Sequence, residues 1–286
     1  MEAGHLVPLG PAGLYAFTGG FESIVQAVDA WLLTLTSGDE ALHLRLPPVC
    51  GTDDYLRAGY LASFPQLAGA VYGFDGDEGD HTVLRRQHWT DRLAPAGLML
   101  VSAACQPVFP MFRGELPRPG RRVDLLGHCF RREPSVDPAR MQSFRQREFL
   151  FLGNAADATG FRDRWVERGQ DAMHELRLPV RAVTANDPFF GRAGKLLATH
   201  QRKDGAKIEL VTELYHGDSS TPTALASCNA HGDRFGHAFD IRCADGATAH
   251  TSCVGFGLER LALALLRVHG PHPTAWPAQV RRSVGV

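Results

Sequence analysis

The stretch RVDLLGHCFRREPSVDPARMQSFRQREFLFL, residues 122–152, decides how the rest of the chain is read. Its two arms, Arg122 to Glu133 and Met141 to Leu152, carry the residues of strands, and Pro134 to Ala139 between them is a polar, proline-bearing loop. That pattern predicts a long β-hairpin. A strand sends alternate side chains to opposite faces. Cys129, Arg131 and Glu133 therefore share one face of the first arm, and Gln142, Phe144, Gln146 and Glu148 share a face of the second. With those faces aligned, one surface offers a guanidinium, two carboxylates and an aromatic ring. Such a surface suits a nucleotide: arginine on a phosphate, a carboxylate on an exocyclic amine, the ring stacked on the base. The alternation alone also fits a solvated hairpin face whose charges are incidental.

Outward from the hairpin, two helices are legible. Phe21, Ile24, Val25, Val28, Trp31, Leu32 and Leu35 form one apolar stripe with Glu22 and Asp29 outside it. Leu258 to Val268 is apolar nearly all round, which predicts a buried helix preceded by Gly255 and Gly257 and stopped by Gly270-Pro271. A weaker stripe, Phe161, Trp165, Val166 and Met173, predicts a middle helix from Phe161 to Leu176. Ala206 to Tyr215 is expected as a strand, and Leu116 to Arg122 and Gly217 to Thr223 as loops. The order helix, strands, helix, strands, helix predicts an α+β fold rather than βαβ alternation. No repeat, low-complexity tract or long linker divides the chain, so residues 1–286 are expected to form one domain.

Composition bounds the function. The 286 residues are 44% apolar and 21% charged, and 30 Lys+Arg against 31 Asp+Glu leave a formal charge of −1. That balance excludes a nucleic-acid binder relying on bulk positive charge, and equally a polyacidic tail protein. No apolar run approaches the roughly 18 residues of a membrane span. Met1 to Gly10 carries Glu2 and no Lys or Arg, unlike a secretory signal. The six cysteines form no CxxC pair and are too sparse for a disulfide scaffold. A cytoplasmic protein with reduced thiols is expected.

Two segments carry more than composition. In Cys253-Val254-Gly255-Phe256-Gly257-Leu258-Glu259-Arg260-Leu261, the glycines let backbone pass close to a ligand. Arg260 falls in the first helical turn, where the dipole favours polyphosphate. A glycine turn capping a core helix, with Arg260 solvated, fits the same residues. The hairpin string Cys129-Phe130-Arg131-Arg132-Glu133, followed by Arg140-Met141-Gln142-Ser143-Phe144 and Arg147-Glu148-Phe149, resembles motif 2 of class II aminoacyl-tRNA synthetases. The Cys253 to Leu261 segment resembles their motif 3. The two occur in the family's order, about one domain's length apart.

Within that class the chain looks most like the catalytic core of seryl-tRNA synthetase, with Ser227-Cys228-Asn229 and Asp233 before motif 3, and Gly59-Tyr60 and Ser63-Phe64-Pro65 in the early segment. No N-terminal tRNA-binding arm precedes the Phe21 helix, and only 26 residues follow Arg260. A core without tRNA-binding modules is similar to the bacterial amino acid:[carrier protein] ligases. The resemblance implies a single class II synthetase-like catalytic domain, mostly antiparallel sheet flanked by helices. It implies ATP-dependent activation of a small amino acid, glycine or alanine, to an aminoacyl-adenylate. Transfer to the phosphopantetheine thiol of a carrier protein would follow.

The same resemblance assigns roles. ATP is expected with adenine against Phe144, Glu133 near its N6, Arg131 on the α-phosphate and Arg260 on the γ-phosphate. Arg140 and Met141 match positions that fold over ATP, and Ala224, Leu225, Ala226 and Ser227 should line the other side. Cys105, Glu148 and Cys253 match the ligands of a zinc whose open position takes the amino group, an arrangement with three protein ligands. Read without the family, Cys105 and Cys253 are buried small apolar residues. Cys50, Cys129, Cys228 and Cys243 are left as core or incidental. Synthetases place a Glu for Mg²⁺ where Ala224 stands; Glu209 and Glu213 on the preceding strand could supply a carboxylate instead, or backbone carbonyls could face ATP. His216, His231 and His237 are read as surface residues in loops. The Phe21 helix and Leu46-Pro47-Pro48 match motif 1, through which class II cores pair, so a homodimer is expected, with no membrane. A minimal tRNA-charging synthetase and a non-catalytic synthetase-like binding subunit are the rival readings. The first needs a basic patch or appended domain, and the second commonly loses an ATP arginine or a zinc ligand.

Overall fold

The expected hairpin lies at the centre of the fold, with Gly120 opposite Gly153 at one end and Phe130 opposite Ser143 at the other. The computed structural model describes residues 4–78, 89–188, 205–215 and 222–286. In chain order its elements are β1 (Leu6–Pro8), β2 (Tyr15–Phe17), α1 (Gly19–Thr34), β3 (Leu42–Arg45), β4 (Val49–Gly51), α2 (Thr52–Arg57), α3 (Tyr60–Ser63), β5 (Ala70–Phe74), β6 (Leu93–Leu100), β7 (Gly114–Glu115), β8 (Gly120–Phe130), β9 (Ser143–Gly153), α4 (Ala155–Glu175), β10 (Arg181–Thr184), β11 (Lys207–Thr212), β12 (Thr223–Gly232), α5 (Arg234–Phe239), β13 (Ile241–Arg242), β14 (His250–Gly257), α6 (Leu258–His269) and α7 (Ala278–Val284). A seven-stranded sheet runs in the order β10-β11-β12-β14-β9-β8-β3. Its neighbours are antiparallel except β3, which lies parallel to β8 at the edge. This is the α+β, mostly antiparallel architecture read from the sequence. Among the described residues no helix is long and apolar enough to cross a membrane.

Both faces of the sheet are covered, which the alternation along β9 shows. Phe149 and Phe151 enter a core with α1, α4, α6 and α7, whereas Leu150 and Leu152 enter a second core with Phe109, Phe235 and Phe239. On the helix side the stripe of α1 buries Phe21, Ile24, Val25, Val28, Trp31 and Leu32, as its period requires. Leu35 caps the helix and is half-buried. Phe149 stacks on Trp165 of α4 with ring centroids 4.6 Å apart. The α6 stripe is buried through Leu258, Leu261, Ala262 and Leu265, and the helix ends at Gly270, whose φ of 94° only glycine adopts readily.

Boundaries differ from the sequence reading for local reasons. Helix α4 starts at Ala155 rather than Phe161, because Asn154 caps it, accepting from the Asp157 N–H at 2.9 Å. That first turn carries no apolar stripe, so periodicity did not reveal it. The hairpin loop spans Arg131 to Gln142, longer than Pro134 to Ala139. The Arg131 N–H closes the ladder on the Gln142 carbonyl at 2.8 Å. Asp137 then caps a short 3₁₀ turn, Pro138–Arg140. Strand β8 begins at Gly120 and so takes in residues first read as loop. Most of the Gly217 to Thr223 loop lies outside the described residues, and Thr223 itself opens β12.

Candidate active site

The side of the sheet away from α1 and α6 holds a cavity of about 390 Å³. The pairing register lays out its floor. Glu209, Ser227, Gly255 and Glu148 form one cross-strand row over β11, β12, β14 and β9, and Lys207, Asn229 and Cys253 form the next over the first three. Two residues the other way along β14, Gly257 pairs with Gln146, which pairs with Gly127 of β8. Side chains rise from this floor only where chemistry is available, because glycine occupies the middle of β14. A Cβ at Gly255 would stand 3.2 Å from Glu148 Cγ and 3.6 Å from Gln146 Nε2.

At one end of the floor, Cys105, Glu148 and Cys253 meet. Their ligand atoms all lie within 4.8 Å of one another, and all three side chains are buried. Cys105 comes from a loop, residues 102–106, folded onto the sheet. The Gln106 side-chain carbonyl accepts the Ser102 N–H at 2.7 Å, and the Tyr55 and Ser102 hydroxyls are 3.1 Å apart. Glu148 accepts the Ala104 N–H from the same loop at 3.0 Å. Burial pushes the Glu148 carboxyl up to about 8, with the Cys253 charge adding to it. The hydrogen bond between the two cysteines holds Cys253 well below the usual thiol range, with His231 and Asn229 supporting it, and raises Cys105 correspondingly. Asn229 Nδ2 and His231 Nε2 stand 3.6 and 3.5 Å from Cys253 Sγ, and His231 Nδ1 is 2.9 Å from Thr251 Oγ1. Two soft sulfurs and a carboxylate suit zinc. Their ligand atoms are close enough together for one such ion to be held by all three.

The other end is built for an anion beside an aromatic surface. The Arg131 guanidinium carbon lies 5.3 Å from the centroid of the Phe144 ring, and its Nε donates to the Ser102 carbonyl at 3.0 Å. Arg260, in the first turn of α6, donates to the Ala139 carbonyl at 2.7 Å and the Ala224 carbonyl at 3.0 Å. Burial lowers its pKa to about 10, with Arg131 and Arg140 adding to that, and it still remains a cation at neutral pH. Met141, Ala224, Leu225, Ala226 and Ser227 all line the cavity. Glu133 and Arg140 do not: both are exposed on the hairpin loop, Glu133 beyond the paired end of β8. They lie close enough to bias Arg260 electrostatically. Glu209 lines the cavity, paired with Lys207 at 3.1 Å, whereas Glu213 is exposed away from it.

The histidine reading needs correction. His231 is on strand β12, lines the cavity and touches Cys253. Ser227, Asn229 and His231 are alternate residues of one strand, and that period of two was the available signal. His237 is exposed, on α5 rather than in a loop, and His216 lies outside the described residues. Gln146, placed on the hairpin face but given no role there, also lines the cavity, as do Ser102 and Arg234, which no motif marked.

No family model matches the chain. Two curated proteins of Bradyrhizobium diazoefficiens do. Amino acid--[acyl-carrier-protein] ligase 1 is 42% identical over 286 residues, covering 97% of this chain and 86% of that protein. Amino acid--[acyl-carrier-protein] ligase 2 is 40% identical, covering 97% and 84%. Among solved structures, Methanopyrus kandleri seryl-tRNA synthetase in complex with A. aeolicus tRNASec superposes with a TM-score of 0.84 at 22% identity over 99% of this chain. Seryl-tRNA synthetase of Pyrococcus horikoshii complexed with ATP gives 0.70 at 14% identity over 96%. The chain spans 58% of each of those two structures, and the likeness shows their shared fold.

Proposed function

Because the chain belongs to the amino acid--[acyl-carrier-protein] ligase family, and so is a ligase, we propose that it activates a small amino acid with ATP and passes it to the thiol of a carrier protein's phosphopantetheine arm. The observation that carries this reading is the convergence of Cys105, Glu148 and Cys253 within 4.8 Å, in the wall of the cavity that Phe144, Arg131 and Arg260 also line. Residues 1–286 act as one catalytic unit. Glycine or alanine fits a site closed by His231, Phe235 and Tyr60.

Adenine lies against Phe144, Arg131 holds the α-phosphate and Arg260 the γ-phosphate. Met141 and the Ala224 to Ser227 segment close over the nucleotide, and Glu133 and Arg140 approach from the loop. Cys105, Glu148 and Cys253 would hold zinc, which would supply a Lewis acid for the neutral amine of the substrate. Glu209, facing the cavity, serves Mg²⁺ in preference to Glu213. The amino acid carboxylate then attacks the α-phosphorus in line and pyrophosphate leaves, and positioning and charge stabilisation carry the step without a side-chain nucleophile. The carrier thiol, giving up its proton, attacks the carbonyl of the resulting anhydride; the bond to the phosphate oxygen breaks, AMP leaves and a thioester remains. The α1 helix and the Leu46-Pro47-Pro48 stretch pair two copies of the chain.

Pyrophosphate exchange with a panel of amino acids, run with metal analysis and with and without carrier protein, tests this reading. Exchange with a small amino acid, one zinc per chain and thioester formation on the carrier are expected, and Cys253→Ser lowers zinc and exchange together. Transfer to tRNA instead would point to a minimal charging enzyme. No exchange with any amino acid would point to a binding subunit, and full exchange without bound metal would remove the zinc.

A further inference from the structure

Between Phe144 and Glu148 on the same face of β9 stands Gln146. Alternate residues of a strand lie about 7 Å apart, so Gln146 sits midway between the aromatic end of the floor and the cysteine cluster. Its Oε1 accepts the Cys129 thiol at 2.9 Å and the Ala104 N–H at 3.4 Å. A backbone N–H can only donate, so the amide oxygen must face this loop. The Nε2 group therefore turns the other way, to Gly255, where no side chain covers it. Among the described residues no acceptor takes the Nε2 hydrogens. Arg131 and Arg260, by contrast, each spend part of their donor capacity on backbone carbonyls. The floor thus presents one neutral donor, fixed by its own oxygen, at the point where the two ends meet.

We propose that Gln146 is a further catalytic residue, whose Nε2 donates to the oxygens gathering charge as the amino acid carboxylate joins the α-phosphoryl group. This rests on the function proposed above. In the step, a carboxylate oxygen lone pair forms the new O–P bond. The bond from the α-phosphorus to the bridging oxygen breaks, and its electron pair leaves with pyrophosphate. Gln146 transfers no proton. It contributes a preorganised dipole that needs no reorientation as the charge moves. The substrate's amine is held at the Glu148 end and the adenine at the Phe144 end, so the reacting centre must pass over the residue between them. Gly255 and Gly257 keep the adjacent strand from filling that space.

Pyrophosphate exchange by the full chain, with Gln146→Glu and Gln146→Leu beside wild type, tests the proposal. The glutamate change retains an oxygen for Cys129 and Ala104 but replaces the donor with a charge, and the leucine change removes the donor without adding one. Both variants are expected to lose about 100-fold in kcat, with KM for ATP and amino acid within threefold of wild type. Zinc content and melting midpoint of Gln146→Glu should stay at wild-type values. Exchange by Gln146→Glu within threefold of wild type overturns the proposal, as does loss of metal from that variant, which would make the role structural. If wild type itself exchanges with no amino acid, the proposed function fails and takes this inference with it. Active wild type with an equally active variant defeats the inference alone.

Discussion

Strand β9 carries polar residues on both faces, and the fold treats the two sets in opposite ways. On the helix side, Arg147 is fully buried, forked onto Asp29 at 2.7 and 2.8 Å and bonded to Asp124 at 2.6 Å. Asp124 also receives His43 at 2.8 Å. Two residues earlier, Arg145 is shared between Glu259, at 2.7 Å from its Nε, and Glu22, at 2.8 Å from both terminal nitrogens. On the cavity side, the Gln146 amide nitrogen has no acceptor among the described residues, and Glu148 is buried beside two cysteine sulfurs, held by the Ala104 and Cys105 backbone N–H groups. Charges matched within the protein build architecture. Polar groups left short of partners await a ligand.

The sharpest way to break this contrast is a change of charge at each face. Glu148→Gln keeps the side chain's shape and its place beside Ala104, so its melting midpoint should fall little. Its metal content and pyrophosphate exchange should collapse, the latter by at least about 100-fold, a loss that even an outer partner of a metal ligand can cause. Arg147→Met should do the reverse. It strands Asp29 and Asp124 without their cation, a loss of about 3–5 kcal/mol in denaturant unfolding. The folded fraction should retain its metal and its KM. Adding Asp124→Asn should recover part of that stability, since the pair is coupled. Equal loss of metal in both variants would erase the distinction between the faces.

A smaller effect tests the bare floor between them. Gly255→Ala places a methyl 3.2 Å from Glu148 Cγ, tighter than ordinary contact. Overpacking of this kind costs about 1–3 kcal/mol, here against bound substrate, so KM for the amino acid should rise about tenfold, the equivalent of 1.4 kcal/mol. An unchanged KM would mean the ligand does not approach β14.

The contrast also explains what could be read from the chain in advance. Periodicity reports which side of an element is apolar, so the stripe of α1 and the β8–β9 hairpin were legible, whereas α6 was read as buried from apolar residues nearly all round. Parallel pairing of β3 with β8 leaves no local mark, because its register is set by partners about eighty residues away. The alternation Arg145, Gln146, Arg147, Glu148 was visible, but which arginines would be matched depended on α1 and α6 arriving with Glu22, Asp29 and Glu259. The cysteines and Glu148 stand 43 and 105 residues apart, so only family resemblance could group them. His231 was missed for a different reason: Ser227-Cys228-Asn229 was read as a motif and not continued as a strand.

The smallest expected effect lies at Glu22, the more exposed of the two carboxylates on Arg145, with about a third of its side chain in solvent. The Arg145 hydrogen bond holds its carboxyl below the usual 4.5. A depressed pKa adds stability that is present above 4.5 and is lost as pH falls through the lowered value. Solvent screening limits the worth of such a pair to less than about 1 kcal/mol, and Arg145 keeps the buried Glu259 when Glu22 is gone. Glu22→Gln should therefore unfold within about 1 kcal/mol of wild type at pH 7, and the difference should vanish as the pH is lowered past that carboxyl's titration. Glu259→Gln, which removes the buried partner, should cost more at pH 7. If the two variants are equally destabilised, exposure has no bearing on how this network holds the helix side of β9, and the contrast with the cavity side loses its physical basis.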